Sequence, residues 1–217
     1  MQIVIFAIIF GKVAKLPTDG IPYTLFASVA VVPWVYMSQA MMASSQSLIA
    51  GKAMLGKVYF PRIIFPVAPV LSKLVGFGIS NVIIFGLLLY YQVAPTWNLL
   101  LWPLFFIMML SIPIGIGLWF SSLAIRFRDV QQAMPFFMQM LMYSAPIVYS
   151  ASSISESYRF IYSLNPIVAV IEGYRACLLG LPIPWIYIWP GIIATVVLLI
   201  SGAFYFKRME RIIVDVI

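Results

Sequence analysis

Long apolar runs separated by short polar turns make up most of the chain. Residues 21–42, 99–124, 134–149 and 185–206 each form such a run, another starts near Val70 and ends at Tyr91, and a shorter one covers residues 2–10. A membrane helix needs about 20 residues to cross a hydrocarbon core of about 30 Å, whereas residues 2–10 reach only about 14 Å. The pattern therefore predicts an all-α polytopic membrane protein with six transmembrane helices, the first of them truncated.

The segment 150–184 interrupts this pattern. Residues 150–157 are mostly polar, and the apolar residues that follow are mixed with Asn165, Pro166, Glu172 and Arg175. Each charge near the bilayer centre costs about 2.5–3.5 kcal/mol on insertion scales, so a full crossing is unfavourable. We expect a re-entrant or interfacial helical hairpin on the outer side of the membrane, before the last span, with a break at Asn165 and Pro166.

Glu172 and Arg175 lie three residues apart, so they share a helical face and can pair. Two interpretations of this pair stay open. In the first, the pair holds the hairpin closed, and the hairpin gates an exit. In the second, the hairpin is a static interfacial helix, in which an ion pair exposed to water is worth only about 0–1 kcal/mol.

Basic residues predict the orientation in the membrane. The turn at residues 51–66, which we call the elbow, separates the second and third spans. If the elbow is cytoplasmic, the inner turns hold eight cations and the outer turns four. The inner eight are Lys52, Lys57, Arg62, Arg126, Arg128, Lys207, Arg208 and Arg211, and the outer four are Lys12, Lys15, Arg159 and Arg175. Because cytoplasmic loops are enriched in Lys and Arg, we expect both termini to be cytoplasmic.

The third span contains one cation and a row of small residues. We expect Lys73 to extend its side chain toward the cytoplasmic headgroups. Ser72, Gly76 and Ser80 repeat every four residues. Small residues at this spacing let two helices approach closely, so this face is predicted to pack against another helix.

The composition agrees with a membrane protein of one domain, residues 1–217. Hydrophobic residues are 64% and charged residues 9% of the chain, against about 45–50% and 25% in soluble domains. The net charge of +7 is explained by orientation, so we expect no nucleic-acid partner. One cysteine and no histidine exclude an internal disulfide and leave no metal cluster. No GxxxxGK[ST] loop occurs, so we expect no catalytic, cofactor or ATP site in this chain.

Three separated motifs resemble one known family. KVYFPRIIFP follows the second span, RFRDV the fourth, and LNPIVAVIEGYRACLLG precedes the last. Together they resemble the permease subunits of ATP-binding cassette exporters for polysaccharides such as O-antigen, capsule and teichoic acid. The resemblance implies a channel of two permeases in the bacterial cytoplasmic (inner) membrane, two cytosolic ATPase subunits that hold ATP and magnesium, and a lipid-linked glycan as cargo. It also implies an N-terminal cytoplasmic segment and the start of the first span before Met1.

The resemblance assigns candidate roles to the inner turns. We expect the partner ATPase to dock on the elbow at Lys52, Leu55 and Lys57, although these lysines could serve topology alone. Arg126, Arg128 and Asp129 are candidates for the same contact. The two arginines could also bind the cargo pyrophosphate, or they could set orientation with a local Arg–Asp pair.

Aromatic residues toward the outer side are candidates for a glycan path, because flat rings stack on sugar faces. These candidates are Tyr143, Tyr149, Tyr158, Tyr162 and Tyr174. An aromatic belt at the membrane interface explains tyrosines there equally well.

Two functions of other classes compete with export. A membrane-embedded transferase acting on lipid-linked sugars needs an acid or base at one membrane face, but Asp129 and the outer Glu156 and Glu172 are predicted on opposite sides. A secondary transporter usually has buried ionisable residues near the midplane, where only Lys73 qualifies. A requirement for a proton gradient without ATP would favour the secondary transporter.

Overall fold

A computed structural model describes residues 21–52, 61–127 and 129–216. Within these ranges the chain is helical and contains no β-strand, which confirms the all-α prediction for this part of the chain. The helices are α1 (Tyr23–Ala50), α2 (Ile64–Ser72), α3 (Leu74–Tyr90), α4 (Trp102–Arg126), α5 (Asp129–Tyr143), α6 (Glu156–Ser163), α7 (Pro166–Leu179) and α8 (Trp185–Val216), with 3-10 turns at Trp97–Leu101 and Ala151–Ser153.

Four helical segments of the described chain are long and apolar enough to cross a membrane. They are Tyr23–Ala50, Ile64–Tyr90, Trp97–Arg126 and Trp185–Glu210. The fifth predicted span, residues 134–149, corresponds to the shorter helix α5 of 15 residues, which reaches about 22 Å. The predicted first span at residues 2–10 lies outside the described residues, so six crossings stay a prediction.

The structure corrects the predicted boundaries around the elbow. The second span was expected to end at Met42, but α1 continues to Ala50 through a run of serines. The serine hydroxyls are satisfied on backbone carbonyls, as when Ser44 Oγ donates to the Pro66 oxygen at 2.6 Å. The third span begins at Ile64 instead of near Val70, because Pro66 lies in the first helical turn, where no backbone N–H is needed.

Helix α1 forms the centre of the bundle. It is the most buried of the four spans, while Ile64–Tyr90 is the least buried. The glycines of α4 allow its neighbours to approach closely. A Cβ atom on Gly117 would collide with the Ser44 hydroxyl of α1, and a Cβ atom on Gly202 of α8 would come within 2.7 Å of the Gly115 carbonyl oxygen. The glycines therefore serve helix packing.

One end of the bundle, which we call the basic end, gathers exposed cations. An apolar cluster joins four helices there, with Leu48 of α1, Phe65 of α2, Leu118 of α4 and Phe206 of α8. Arg62 Nη1 donates to the Glu210 carbonyl oxygen at 2.7 Å and so ties the end of the elbow to α8. The exposed cations at this end are Lys52, Arg126, Lys207 and Arg208.

The other end of the bundle, which we call the α7 end, is held by hydrogen bonds between distant segments. The Tyr23 hydroxyl at the start of α1 donates to the Val148 oxygen at 3.1 Å. Asn98 Nδ2 donates to the Leu181 oxygen at 2.8 Å. These bonds place the starts of α1 and α4 beside the loop after α5 and the segment after α7.

Candidate functional site

Helix α7 is buried among α1, α4 and α8, and only α6 of the predicted hairpin lies on the surface. The predicted break is confirmed, since α6 ends at Ser163 and α7 begins at Pro166. Asn165 caps α7 by accepting a hydrogen bond from the Ile167 amide at 3.1 Å. The residues of α7 are nearly all buried within the described chain, and both interpretations of the hairpin, gate or static interfacial helix, stay predictions.

Close packing on two faces explains why α7 is buried. Gly173 lies against the Phe105 ring of α4, and Gly191 of α8 lies against Ala169, so a Cβ atom at either glycine would collide with its neighbour. Helix α7 ends at Leu179 and is capped by Gly180, whose left-handed φ of 69° favours glycine. Small residues thus allow α7 to sit between two membrane helices.

Arg175 of α7 is a buried cation whose Nη1 and Nη2 have hydrogen-bond partners among the described residues, while its Nε has none. Its Nη1 lies 3.0 Å from Glu172 Oε1, which confirms the predicted pairing. The Arg175 side chain is only 1% exposed and that of Glu172 12%, so this pair is not one exposed to water, as the second interpretation assumed. Burial lowers the pKa of Arg175, and the Glu172 carboxylate acts in the opposite direction.

The Arg175 guanidinium also binds groups outside α7. Nη2 donates to the Ile147 oxygen at 2.9 Å and Nη1 to the Tyr149 oxygen at 3.2 Å. Its central carbon lies 3.7 Å from the centre of the Phe26 ring in α1, a cation–π contact. Arg175 therefore fixes the loop after α5 and the first turns of α1 against α7.

The five candidate tyrosines do not form one surface. Tyr149 and Tyr162 join their hydroxyls at 3.0 Å, and burial raises the pKa of Tyr162, with the Tyr149 hydrogen bond adding to the rise. Tyr143 and Tyr158 are exposed. Tyr174 is buried, where its hydroxyl donates to Asn81 Oδ1 of α3, so it lines no open surface of the described chain.

The candidate docking residues that the structure describes lie at the basic end. Lys52, Arg126 and Asp129 are exposed there, while Leu55, Lys57 and Arg128 are outside the described residues. No ion pair joins Arg126 to Asp129 in the described chain. The Arg126 guanidinium instead lies 5.4 Å from the centre of the Phe127 ring.

Exposed glutamines on α1 and α5 are a feature that the sequence interpretation missed. Gln39 and Gln46 are exposed seven residues apart on α1, and Gln132 and Gln139 are exposed seven residues apart on α5. Seven residues are close to two helical turns, so each pair lies on one face. This spacing was visible in the sequence. Exposed amides on membrane helices need a polar neighbour, because an unpaired amide in hydrocarbon is costly.

Among the described residues, no group of three or more His, Cys, Asp and Glu side chains is arranged to hold a metal ion.

Comparisons with known proteins find one family and several relatives that are similar to this chain. The family profile described as ABC-2 type transporter, a membrane family, matches residues 1–179. The chain is 28% identical over 210 residues to an "O-antigen export system permease protein RfbA" of Klebsiella pneumoniae, covering 95% of this chain and 81% of the relative. A protein of the same name from Myxococcus xanthus is 24% identical over 178 residues, covering 81% of this chain and 68% of the relative.

The chain contains two Glu–Arg pairs at the same spacing, which allows a matched test of burial. We expect Arg175→Met to cost about 3–5 kcal/mol of stability, because it removes the cation beside the largely buried Glu172 carboxylate and the donor of two loop carbonyls. Arg159→Met breaks the pair with Glu156, whose side chain is 87% exposed, and should cost at most about 1 kcal/mol. Thermal unfolding of the purified variants in detergent measures the difference. Equal losses would contradict a structural role for Arg175.

Proposed function

Because the chain belongs to the ABC-2 type transporter family, we propose that it is the transmembrane subunit of an ATP-driven exporter that moves a lipid-linked polysaccharide across the bacterial cytoplasmic membrane. The observation that carries the substrate class is the similarity to O-antigen export permeases along 95% of the chain. In this proposal the chain is not an enzyme. A separate ATPase binds ATP and magnesium, and two copies of each subunit form the exporter.

The proposed topology has six crossings, with α5 as the fifth and residues 2–10 belonging to the first. Exposed cations at the basic end support a cytoplasmic position for that end and for both termini. At the α7 end, the described cations are Arg159 and Arg175, and each is paired with a glutamate. The two ends therefore differ in the number of cations, and also in whether those cations have an acidic partner in the described chain.

We propose that α6 and α7 form a re-entrant hairpin that gates the outer exit. Asn165 Nδ2, at the start of α7, donates to Ser144 Oγ at 3.1 Å, and Gly180, just after α7, packs against Thr96. Both contacts lie at the α7 end, so the two ends of α7 lie on the same side of the bundle. The buried Glu172–Arg175 pair then anchors the hairpin, and the exposed α6 is its outer part, joined through Asn165 and Pro166.

A second copy of the chain is proposed to face the glutamines of α1 and α5. Polar amides on the two faces are unsuited to lipid but suited to a hydrated passage or a protein partner. Exposed side chains of α3, such as Val82 and Leu89, are apolar and are suited to lipid contact. The passage between two copies would then be lined mainly by α1 and α5, with Tyr143 at the outer end of α5.

Docking of the ATPase is proposed at the basic end. Lys52 follows α1 directly, and Arg126 and Asp129 flank the turn between α4 and α5. Two cytoplasmic turns that present charge on one surface can bind a partner with complementary charge. Leu55, Lys57 and Arg128 belong to the same two turns by sequence.

The exporter function predicts a transport defect that depends on ATP hydrolysis. In cells that lack this chain, surface polysaccharide should be lost and its lipid-linked form should accumulate inside. The wild-type gene should restore export only together with an ATPase able to hydrolyse ATP. Glu172→Gln should lower export at an equal membrane level if the hairpin is the gate. Export driven by a proton gradient without ATP would instead identify a secondary transporter.

The docking surface predicts a loss of the partner on charge reversal. Lys52→Glu combined with Arg126→Glu should reduce the ATPase that co-purifies with the chain about tenfold, equivalent to about 1.4 kcal/mol. Arg159→Glu at the α7 end is the matched control and should have no effect. A neutral linker in place of residues 52–57 tests Leu55 and Lys57. Unchanged co-purification of the linker variant would exclude the elbow.

The proposed dimer predicts specific cross-links. The native Cys177 is buried, so a Cys177→Ala background removes it from the assay. In that background, Gln46→Cys or Gln139→Cys should form cross-linked dimers in membranes with a short bifunctional thiol reagent. Val82→Cys, on the exposed face of α3, should remain monomeric. Cross-linking through Val82→Cys alone would place the dimer contact on α3 instead.

A further inference from the structure

A cavity of about 520 Å³ lies between α1 and the bend at which α2 passes into α3. Its lining includes Tyr36 and Gln39 of α1 and, on the other side, Ser72, Lys73, Gly76 and Ser80. Gln39, Ser72, Lys73 and Gly76 are exposed, so the cavity opens on the surface of the protomer. The small-residue row predicted as a packing face thus borders open space. A Cβ atom on Gly76 would meet no atom within 4 Å.

We propose that this cavity binds the phosphate headgroup of a membrane lipid, with Lys73 as the counter-ion. Among the described residues, the ion pairs are Arg159–Glu156 and Arg175–Glu172, and neither involves Lys73. Helix α3 extends 17 residues beyond Lys73, about 26 Å, which nearly equals the hydrocarbon thickness of about 30 Å. The Lys73 side chain can therefore extend to the depth at which lipid phosphates are found.

The polar groups of the cavity match an anion. The Lys73 ammonium offers three N–H donors, and the Gln39 amide makes no hydrogen bond to any described residue, so its two N–H groups are available. The Ser72, Ser80 and Tyr36 hydroxyls already donate to backbone carbonyls. A phosphate supplies several acceptor oxygens and the negative charge that would neutralise the Lys73 ammonium.

The surface beside the cavity matches a hydrocarbon chain. Val75 and Ile79 of α3 are 71% and 64% exposed and lie next to Lys73, Gly76 and Ser80 on the helix. An amphiphile could place its phosphate at Lys73 and its chain along these residues, which a soluble anion could not do. Both an anionic phospholipid of the bilayer and a lipid pyrophosphate that carries a glycan have this chemistry. The site does not require the exporter function to be correct.

Native mass spectrometry of the purified transporter, titrated with phosphatidylglycerol or phosphatidylcholine, measures this binding. Lys73→Gln should raise the apparent Kd for phosphatidylglycerol about three- to tenfold, as expected for one partly exposed ion pair. Binding of phosphatidylcholine should not change. Lys73→Arg keeps the charge and should stay close to wild type. Lys207→Gln removes an exposed lysine elsewhere and should have no effect.

A second pair of variants tests the cavity itself. Gly76→Leu should fill the mouth of the cavity and weaken phosphatidylglycerol binding. Gly86→Leu on the same helix, where a Cβ atom also meets nothing within 4 Å, should not. Wild-type binding by both Lys73→Gln and Gly76→Leu, in variants that elute as the wild type does, would overturn the proposal. A loss as large in Lys207→Gln would also overturn it, because general surface charge would then explain the binding.

Competition identifies the source of the lipid. A polyprenyl pyrophosphate that displaces phosphatidylglycerol from wild type, and does so less well from Lys73→Gln, would assign the site to the cargo lipid. Retention of phosphatidylglycerol at saturating polyprenyl pyrophosphate would assign it to a lipid of the bilayer. Either result supports the site.

Discussion

The neutralisation of Arg175 is the constraint on which the α7 end of the protein depends. A buried guanidinium is tolerated only where a carboxylate and further acceptors replace the water that it loses. Here Glu172, two carbonyls of the loop after α5 and the Phe26 ring supply that environment. Because these groups belong to three separate segments, satisfying one charge fixes α7, the loop after α5 and the start of α1 together. The Tyr23–Val148 hydrogen bond adds a second tie between the same elements.

Helix α1 connects the α7 end to the basic end. It is buried over most of its length, so its position at one end constrains its position at the other. At the basic end an apolar cluster and the Arg62–Glu210 contact hold the helices, and the exposed cations are free to face solvent or a partner. In this protein one end is ordered by a buried charge and the other by apolar packing.

Sequence reasoning located the helices well and their contacts poorly. The apolar runs located α4 and the start of α8, and Asn165–Pro166 located the break before α7, because these features are local. The continuation of α1 to Ala50 could not be predicted, since the Ser44 hydroxyl is satisfied by the Pro66 carbonyl of another segment. The Glu172–Arg175 pairing followed from spacing. Its burial did not, because Phe26 and the loop carbonyls are distant in sequence. The seven-residue spacing of the glutamines on α1 and α5 could be seen in the sequence. Their exposure could not, because it depends on which helix faces pack in the bundle.

Arg175 and Lys73 have opposite environments, and this difference bears on function. The protein surrounds Arg175 with its own acceptors, which makes that charge a fixed part of the fold. Lys73 has no acidic partner in the described chain, yet it borders a cavity beside apolar surface. An exposed lysine at headgroup depth costs little by itself, because its chain can reach water. The cavity and the unpaired Gln39 amide are what a merely solvated lysine does not explain. The Arg175 charge is neutralised by groups of the chain itself and so stabilises one structure. The Lys73 charge has no acidic partner in the described chain, so it is available to an anionic ligand in the cavity.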